Sequence, residues 1–223
     1  MFSDVHADEA ALKSIIADAD ARGCTHIWCL GDYCSGGYQP RECYEIVRTH
    51  CEIILGGNHE MFVVVGVWKQ LDLGWAQAAQ MAAHELGAER VKALRDLPSH
   101  GQVAALGVEM VHASLLDPLL GSIRNSSDAY LNIIKATESL VLFGHTHERA
   151  YYVASSAGLP RQEEIALDAV YHLPTSHTCL LNPGAGCDHA GADWLELQLD
   201  GDERVAIWHQ TDVGGHGGAF SET

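Results

Sequence analysis

The sequence predicts an α/β layered fold, and two observations carry that prediction. Short apolar runs alternate with amphipathic helical stretches along the chain. Polar residues with oxygen or imidazole donors follow those runs again and again. In open α/β folds the carboxyl ends of the strands form a common rim where ligands gather. Residues far apart in sequence can therefore converge there.

Asp8 to Arg22 reads as a helix: Leu12, Ile15, Ile16 and Ala19 share one face, Asp8 can cap the start, and Gly23 stops it. His26 to Leu30 is a short apolar strand running into Gly31-Asp32. Pro40, tolerated in a first helical turn, opens a second helix through about Arg48. Glu52 to Leu55 is the next strand and ends at Gly56-Gly57-Asn58-His59. A long helical stretch follows, with Trp75, Ala78, Ala79, Ala82 and Ala83 on one narrow face and Val91, Leu94 and Leu97 on another; Pro98 ends it.

Val108 to Val111 is a strand before His112, and Ser127 to Ala136 is helical. Leu140 to Phe143 is a strand before Gly144-His145, and Thr178 to Leu181 a strand before Asn182-Pro183-Gly184. Trp194 to Leu199 and Val205 to Gln210 alternate apolar and polar about Asp200-Gly201-Asp202, which reads as a hairpin. Ser155 to His177 has poor periodicity and reads as a loop or hairpin. The chain is read as one domain over residues 1–213, followed by a Gly-rich, flexible tail at 214–223. The helical segment at about 61–98 reads either as a cap that limits the substrate or as ordinary packing, with Trp68 and Trp75 as core or partner-facing aromatics.

A length of 223 residues allows a sizeable core. Lys and Arg number 13 against 30 Asp and Glu, a formal net charge of -17. Such a surface repels polyanions, which argues against general nucleic-acid binding. It leaves room for a small phosphorylated substrate, because bound divalent cations reverse the field inside a cleft. The seven cysteines are odd in number and form no CxxC pair, and the start lacks a signal peptide, so a reduced, cytoplasmic protein is expected. No apolar stretch approaches the roughly 20 residues of a membrane helix.

Five segments in fixed order hold the candidate chemistry: Ser3-Asp4-Val5-His6, Gly31-Asp32-Tyr33, Gly57-Asn58-His59-Glu60, Val111-His112-Ala113 and Gly144-His145-Thr146-His147. Mixed carboxylate and imidazole donors suit zinc, manganese, iron, nickel or cobalt. The set is too large for one ion and about right for two ions that share a bridging carboxylate. Such pairs, roughly 3.5–4 Å apart, serve in-line displacement at phosphorus. Asp32 is the choice for the bridge, because it lies between the other sets and has two oxygens to divide. Asn58 offers a neutral carbonyl oxygen; His112, His145 and His147 add imidazoles. Any one of these histidines alone would be read as a core or surface residue. The ordered set rarely arises by chance.

These segments resemble those of the calcineurin-like metallophosphoesterase superfamily: Asp-x-His, Gly-Asp, Gly-Asn-His-Asp/Glu, His and Gly-His-x-His. The likeness runs from Ser3 to about Gly186. Gly31 to Cys43 and Leu181 to Gly186 are similar to a small bacterial subgroup of phosphodiesterases and diadenosine tetraphosphatase-like proteins. The resemblance implies a four-layer α/β/β/α sandwich of two mixed sheets flanked by helices. It implies two divalent metal ions, manganese first, with iron, zinc, nickel, cobalt or magnesium as alternatives. Asp4, His6, Asp32 and His147 would hold one ion; Asp32, Asn58, His112 and His145 would hold the other. A metal-bridging hydroxide would attack phosphorus, His59 would act as general acid, and Glu60 would orient His59 from behind.

The implied activity is hydrolysis of a small phosphomonoester, phosphodiester or dinucleoside polyphosphate. A non-catalytic metal-binding scaffold is the alternative; a nuclease or a phosphoprotein phosphatase is less favoured. The protein-phosphatase branch carries a second Asp and an Arg after Gly-Asp, and Tyr33-Cys34-Ser35-Gly36-Gly37 has neither. The Arg that follows Asn-Pro-Gly-Ser in the subgroup is also missing, and Arg149 is the candidate substitute for gripping substrate, beside Asn58. Only Met1-Phe2-Ser3 precede Asp4, where the family has a full apolar strand. Either that strand is very short or the start is truncated, and a missing strand would loosen Asp4 and His6. Oligomeric state stays open.

Overall fold

The computed structural model describes residues 1–66, 73–187, 191–201 and 203–213. Its larger sheet is built from β3 (His100–Val103), β4 (Val108–Val111), β5 (Leu140–Leu142), β6 (Ala150–Val153), β7 (Arg161–Gln162) and β9 (Cys179–Asn182). Their spatial order is β3-β4-β5-β9-β6-β7. The neighbours β4, β5 and β9 are parallel, and β3, β6 and β7 run antiparallel to their partners. The second sheet contains β8 (Tyr171–His172), β10 (Ala192–Asp200) and β11 (Glu203–Thr211), in the order β10-β11-β8. A parallel pair, β1 (Trp28–Cys29) and β2 (Ile53–Ile54), stands beside it.

The first three residues join these two groups. Phe2 N–H donates to Trp28 O at 3.0 Å, and Leu30 N–H donates to Phe2 O at 3.0 Å. On the other side, Leu195 N–H of β10 donates to Met1 O at 2.9 Å. The chain from Met1 therefore fills the central position, and no gap opens there. The ladder continues past it: Asp4 N–H bonds Gly31 O at 3.1 Å and His6 N–H bonds Asp32 O at 2.9 Å.

Period-two alternation makes the layers. On β5, Leu140 and Leu142 enter the core between the sheets, while Val141, and Phe143 just after the strand, face outward. The outward face is covered by α5 (Ser126–Lys135) through Ala129. On β10, Leu195 joins the central core, and Trp194 faces the helices on the other side. That outer layer holds α1 (Glu9–Ala21), α2 (Pro40–His50) and α4 (Leu73–Arg95). The order is helix, sheet, sheet, helix, as the resemblance implied. None of the seven cysteines is in a disulfide. Among the described residues, no helix is long and apolar enough to cross a membrane.

The helical stretch after β2 differs from the sequence reading. A helix α3 (Asn58–Val65) starts at the Asn58 motif itself, and Gly66 closes it with φ 66°. The body of α4 is ordinary packing: Ala79, Ala82, Leu86 and Leu94 are buried in the core shared with α1 and α2. Its first turn is different, because Trp75 reaches the rings of His6 and His59. Trp68 and the tail at 214–223 lie outside the described residues. The region read as a loop or hairpin supplies β7 and β8, each two residues long.

A buried charge fastens the turn after α5 to the sheet. Glu109 on β4 is 3% exposed. Its carboxylate accepts hydrogen bonds from Thr137 N–H at 2.8 Å and from His100 Nε2 at 2.8 Å. Burial raises its pKa, but the Thr137 and His100 bonds outweigh that and leave it lowered. A carboxylate with a depressed folded pKa stabilises above the unfolded value, about 4.3. That contribution is lost as pH falls through the folded pKa. Glu109→Gln is expected to cost about 1–3 kcal/mol at pH 7 and to flatten the acid side of the stability curve, checked by denaturant unfolding between pH 7 and pH 3.

Candidate metal centre

Each donor leaves the end of a strand or strand-like segment. Asp4 and His6 follow the segment at Phe2, Asp32 follows β1, Asn58 follows β2, His112 follows β4, and His145 and His147 follow β5. Their backbones are unusual. Among the described residues seven non-glycine residues have positive φ, and Asp4 (57°), His6 (50°), Asp32 (54°), His145 (65°) and His147 (59°) are five of them. This left-handed region is unfavourable for residues with a Cβ, and such strain collects at functional sites.

Two glycines of the motifs make room. A Cβ on Gly57 would overlap Asp32 Oδ1 and lie 2.8 Å from His112 Cε1. A Cβ on Gly144 would overlap Ser3 Oγ and lie 2.8 Å from Asp4 Oδ2. The backbone approaches the carboxylates so closely that only glycine fits.

The donors converge in overlapping groups: Asp4, His6 and His147; His6, Asp32 and His59; Asp32, His112 and His145. Within each group the ligand atoms lie within 4.8 Å of one another. His6 Nε2 faces His147 Nε2 at 3.0 Å. Asn58 Oδ1 lies 3.0 Å from His112 Nε2 and 2.9 Å from His145 Nδ1. His112 Nε2 is also 3.3 Å from Asp32 Oδ2.

Backbone carbonyls fix two tautomers, since a carbonyl can only accept. His6 Nδ1–H donates to Ser35 O at 3.1 Å, and His112 Nδ1–H donates to Leu30 O at 2.9 Å. In each neutral ring Nε2 then presents its lone pair to the cleft. Asp4 Oδ1 is buried there and accepts no hydrogen bond; His147 Nε2 is 3.5 Å away. A proton or a metal cation must lie among such acceptors, and the mixed carboxylate and imidazole set fits a divalent metal.

The proton equilibria agree. Burial presses the His112 pKa down, but the charge of Asp32 carries it up to about 9. In the metal-free chain a proton stands among these acceptors at neutral pH. Binding of a divalent cation to the neutral imidazole releases that proton. Burial raises the carboxyls of Asp4 and Asp32, yet neighbouring histidines outweigh it. Asp4 falls to about 2 and Asp32 well below its ordinary value.

Glu60 requires a correction. It does not bond the His59 ring. Its carboxylate accepts from the backbone N–H groups of Gly57 (2.9 Å), Asp32 (2.8 Å), Tyr33 (3.0 Å) and Cys34 (3.2 Å). The loop after β1 curls its amides toward one point, and Glu60 in the first turn of α3 fills it. Glu60 thus clamps the Asp32 loop onto α3. Asp32 Oδ1 in turn accepts His59 N–H at 2.9 Å, where the positive end of the helix favours a carboxylate.

Asn182, which was not chosen from the sequence, holds the histidine loop. Its Nδ2 donates to Gly144 O at 2.9 Å and to Thr146 Oγ1 at 3.1 Å, and its Oδ1 accepts Gly184 N–H at 2.9 Å. The signal available was the Asn-Pro-Gly at the end of β9. Arg149 is not among the donors. It pairs with Asp193 at 3.4 Å on the wall of a cavity of about 760 Å³ that opens beside His147. His145 and His147 are partly exposed, so the centre opens to solvent on that side.

The chain matches the model of the calcineurin-like phosphoesterase superfamily domain over residues 1–195. It is similar to the crystal structure of a metallophosphoesterase from Sphaerobacter thermophilus, at 29% identity and a TM-score of 0.76, covering 95% of this chain and 87% of that one. It shares its fold with the hypothetical protein PH1004 from Pyrococcus horikoshii OT3, at 15% identity and a TM-score of 0.72, with the same two coverages of 95% and 87%. A stretch of 64 residues, 29% of this chain, is 36% identical to the uncharacterized protein MJ0912 of Methanocaldococcus jannaschii and spans 26% of that protein. The family match includes every donor from Asp4 to His147. The chain belongs to the calcineurin-like phosphoesterase superfamily, a family of metal-dependent phosphoester hydrolases.

Proposed function

We propose that this protein hydrolyses a small phosphate ester (a phosphomonoester, a phosphodiester or a dinucleoside polyphosphate) with two divalent cations, manganese being the first choice. One observation carries the reading: the donor atoms fall into overlapping groups, Asp4, His6 and His147 at one end and Asp32, His112 and His145 at the other, linked by a group that contains both His6 and Asp32. Asp4, His6, Asp32 and His147 would hold one cation, and Asp32, Asn58, His112 and His145 the other. When bound, such a pair makes water nucleophilic near neutral pH and offsets charge on the phosphoryl oxygens.

The remaining work falls to this chain's own residues. Asn58 Oδ1 lies between two imidazoles, so its amide nitrogen is directed away from them and is available to a phosphoryl oxygen. His59, 6% exposed, is the proton donor to the leaving oxygen. Burial lowers its pKa to about 3, against the pull of Asp32. An anionic ester against the ring supplies a further opposite charge and raises it again. Arg149, on the cavity wall beside His147, contacts the outer part of the substrate. The net charge of -17 disfavours long polyanions.

The test is turnover of p-nitrophenyl phosphate and bis(p-nitrophenyl) phosphate with added Mn²⁺. The expected result is hydrolysis of at least one ester, abolished by chelator and restored by Mn²⁺. No turnover of either by protein holding two ions per chain would favour the non-catalytic scaffold.

A further inference from the structure

Catalytic imidazoles are ordinarily held by a hydrogen bond from one ring nitrogen to a carboxylate or carbonyl. His59 has none: among the described residues neither of its ring nitrogens makes a hydrogen bond, and its backbone N–H donates to Asp32. Glu60, the residue expected to hold it, is spent on four backbone amides. Aromatic rings hold the imidazole instead. His6 lies 4.6 Å away at 74°, Phe62 at 5.6 Å and 55°, and Trp75 at 4.6 Å and 83°.

These three are not equivalent. His6 is itself a metal donor, and Phe62 sits on the same helix as His59. Trp75 comes from α4, a separate element whose body is anchored in the outer core. Its contact with His59 is edge-to-face, a favoured arrangement for ring pairs. The indole also lies 5.9 Å from the His6 ring, so it spans the proton donor and the edge of the metal centre. With no hydrogen bond to define the tilt of His59, the packed indole is what limits it.

We propose that Trp75 is the positioning residue of His59: the indole sets the angle at which the imidazole meets the leaving oxygen. This rests on the reading of His59 as proton donor. Misplacing a catalytic group by about 1 Å can cost about 10²-fold in rate, so loss of the indole should show wherever the proton matters.

Two measurements test it. In metal-free protein, the Cε1–H signal of His59 is identified by NMR through its disappearance in His59→Gln. Trp75→Ala is expected to move that signal toward its random-coil position as the indole ring current is lost, with Trp75→Phe in between. An unmoved signal in Trp75→Ala overturns the proposal. With Mn²⁺ bound, methyl phenyl phosphate has a leaving group that needs a proton, and methyl p-nitrophenyl phosphate has one that scarcely does. Trp75→Ala is expected to lose at least about 10-fold more kcat on the phenyl ester than on the nitrophenyl ester, and Trp75→Phe to recover most of the difference. Equal losses on the two esters overturn the proposal. If wild-type protein turns over neither diester, phenyl phosphate and p-nitrophenyl phosphate take their place in the same comparison; if it turns over none of the four, the phosphoesterase reading itself fails and the positioning role falls with it, even where the NMR signal confirms the packing.

Discussion

Asp32→Asn is expected to abolish the metal pair while leaving the fold intact. Both effects follow from where the side chain sits. One oxygen accepts His59 N–H at 2.9 Å and the other lies 3.3 Å from His112 Nε2. An amide can still accept through its oxygen, so the start of α3 keeps its partner. It cannot supply negative charge to two cations at once. A single positioned electrostatic group is worth about 10²–10³-fold in rate; loss of both ions should exceed about 10³-fold. Metal analysis should find fewer than two ions per chain, and circular dichroism an unchanged fold.

The same substitution has a signature without metal. In the wild type the His112 pKa is raised to about 9, chiefly by Asp32 acting against burial. A raised folded pKa gives stability that is fully present below the unfolded value, about 6.5, and is lost as pH climbs through the folded one. Metal-free wild-type protein should therefore weaken between about pH 6.5 and pH 9, and Asp32→Asn should flatten that decline. Thermal melts across the window check the sign. A steep decline in the variant would mean that another group holds the proton.

His59→Ala is expected to keep both ions and lose about 10²–10⁴-fold in kcat, the usual contribution of a general acid. The loss should be greater for esters with poor leaving groups. The competing assignment is concrete, because His59 Nδ1 or Nε2 also falls in a donor group with His6 and Asp32. Were His59 a ligand, the variant would lose metal first and activity as a consequence. Metal content measured alongside kcat separates the two outcomes.

Much of this was legible in the sequence because burial leaves a period. Leu12, Ile15, Ile16 and Ala19 are all buried on α1, as their spacing predicts. Every residue of β4 is buried. The candidate donors after Asp4 and His6 were legible for a related reason: their segments follow short apolar runs. What escaped had no periodic trace. The edge strand β3 reads His-Gly-Gln-Val with alternating exposure, and its pairing with β4 is a tertiary fact. The segment at Met1 and Phe2 pairs as an isolated bridge, and its central place depends on neighbours more than 20 residues away. Glu60 was assigned to the wrong partner because its actual partners are backbone N–H groups, which every non-proline residue offers. Trp75 was left between core and partner-facing roles because apolar spacing reports burial, not which ring lies opposite.

The most direct measurement is anomalous scattering at the manganese edge from crystals grown with Mn²⁺. Two peaks are expected, one bordered by Asp4, His6 and His147 and the other by Asn58, His112 and His145, with Asp32 between them. No peak among these side chains, or a lone peak elsewhere, would contradict the two-metal reading.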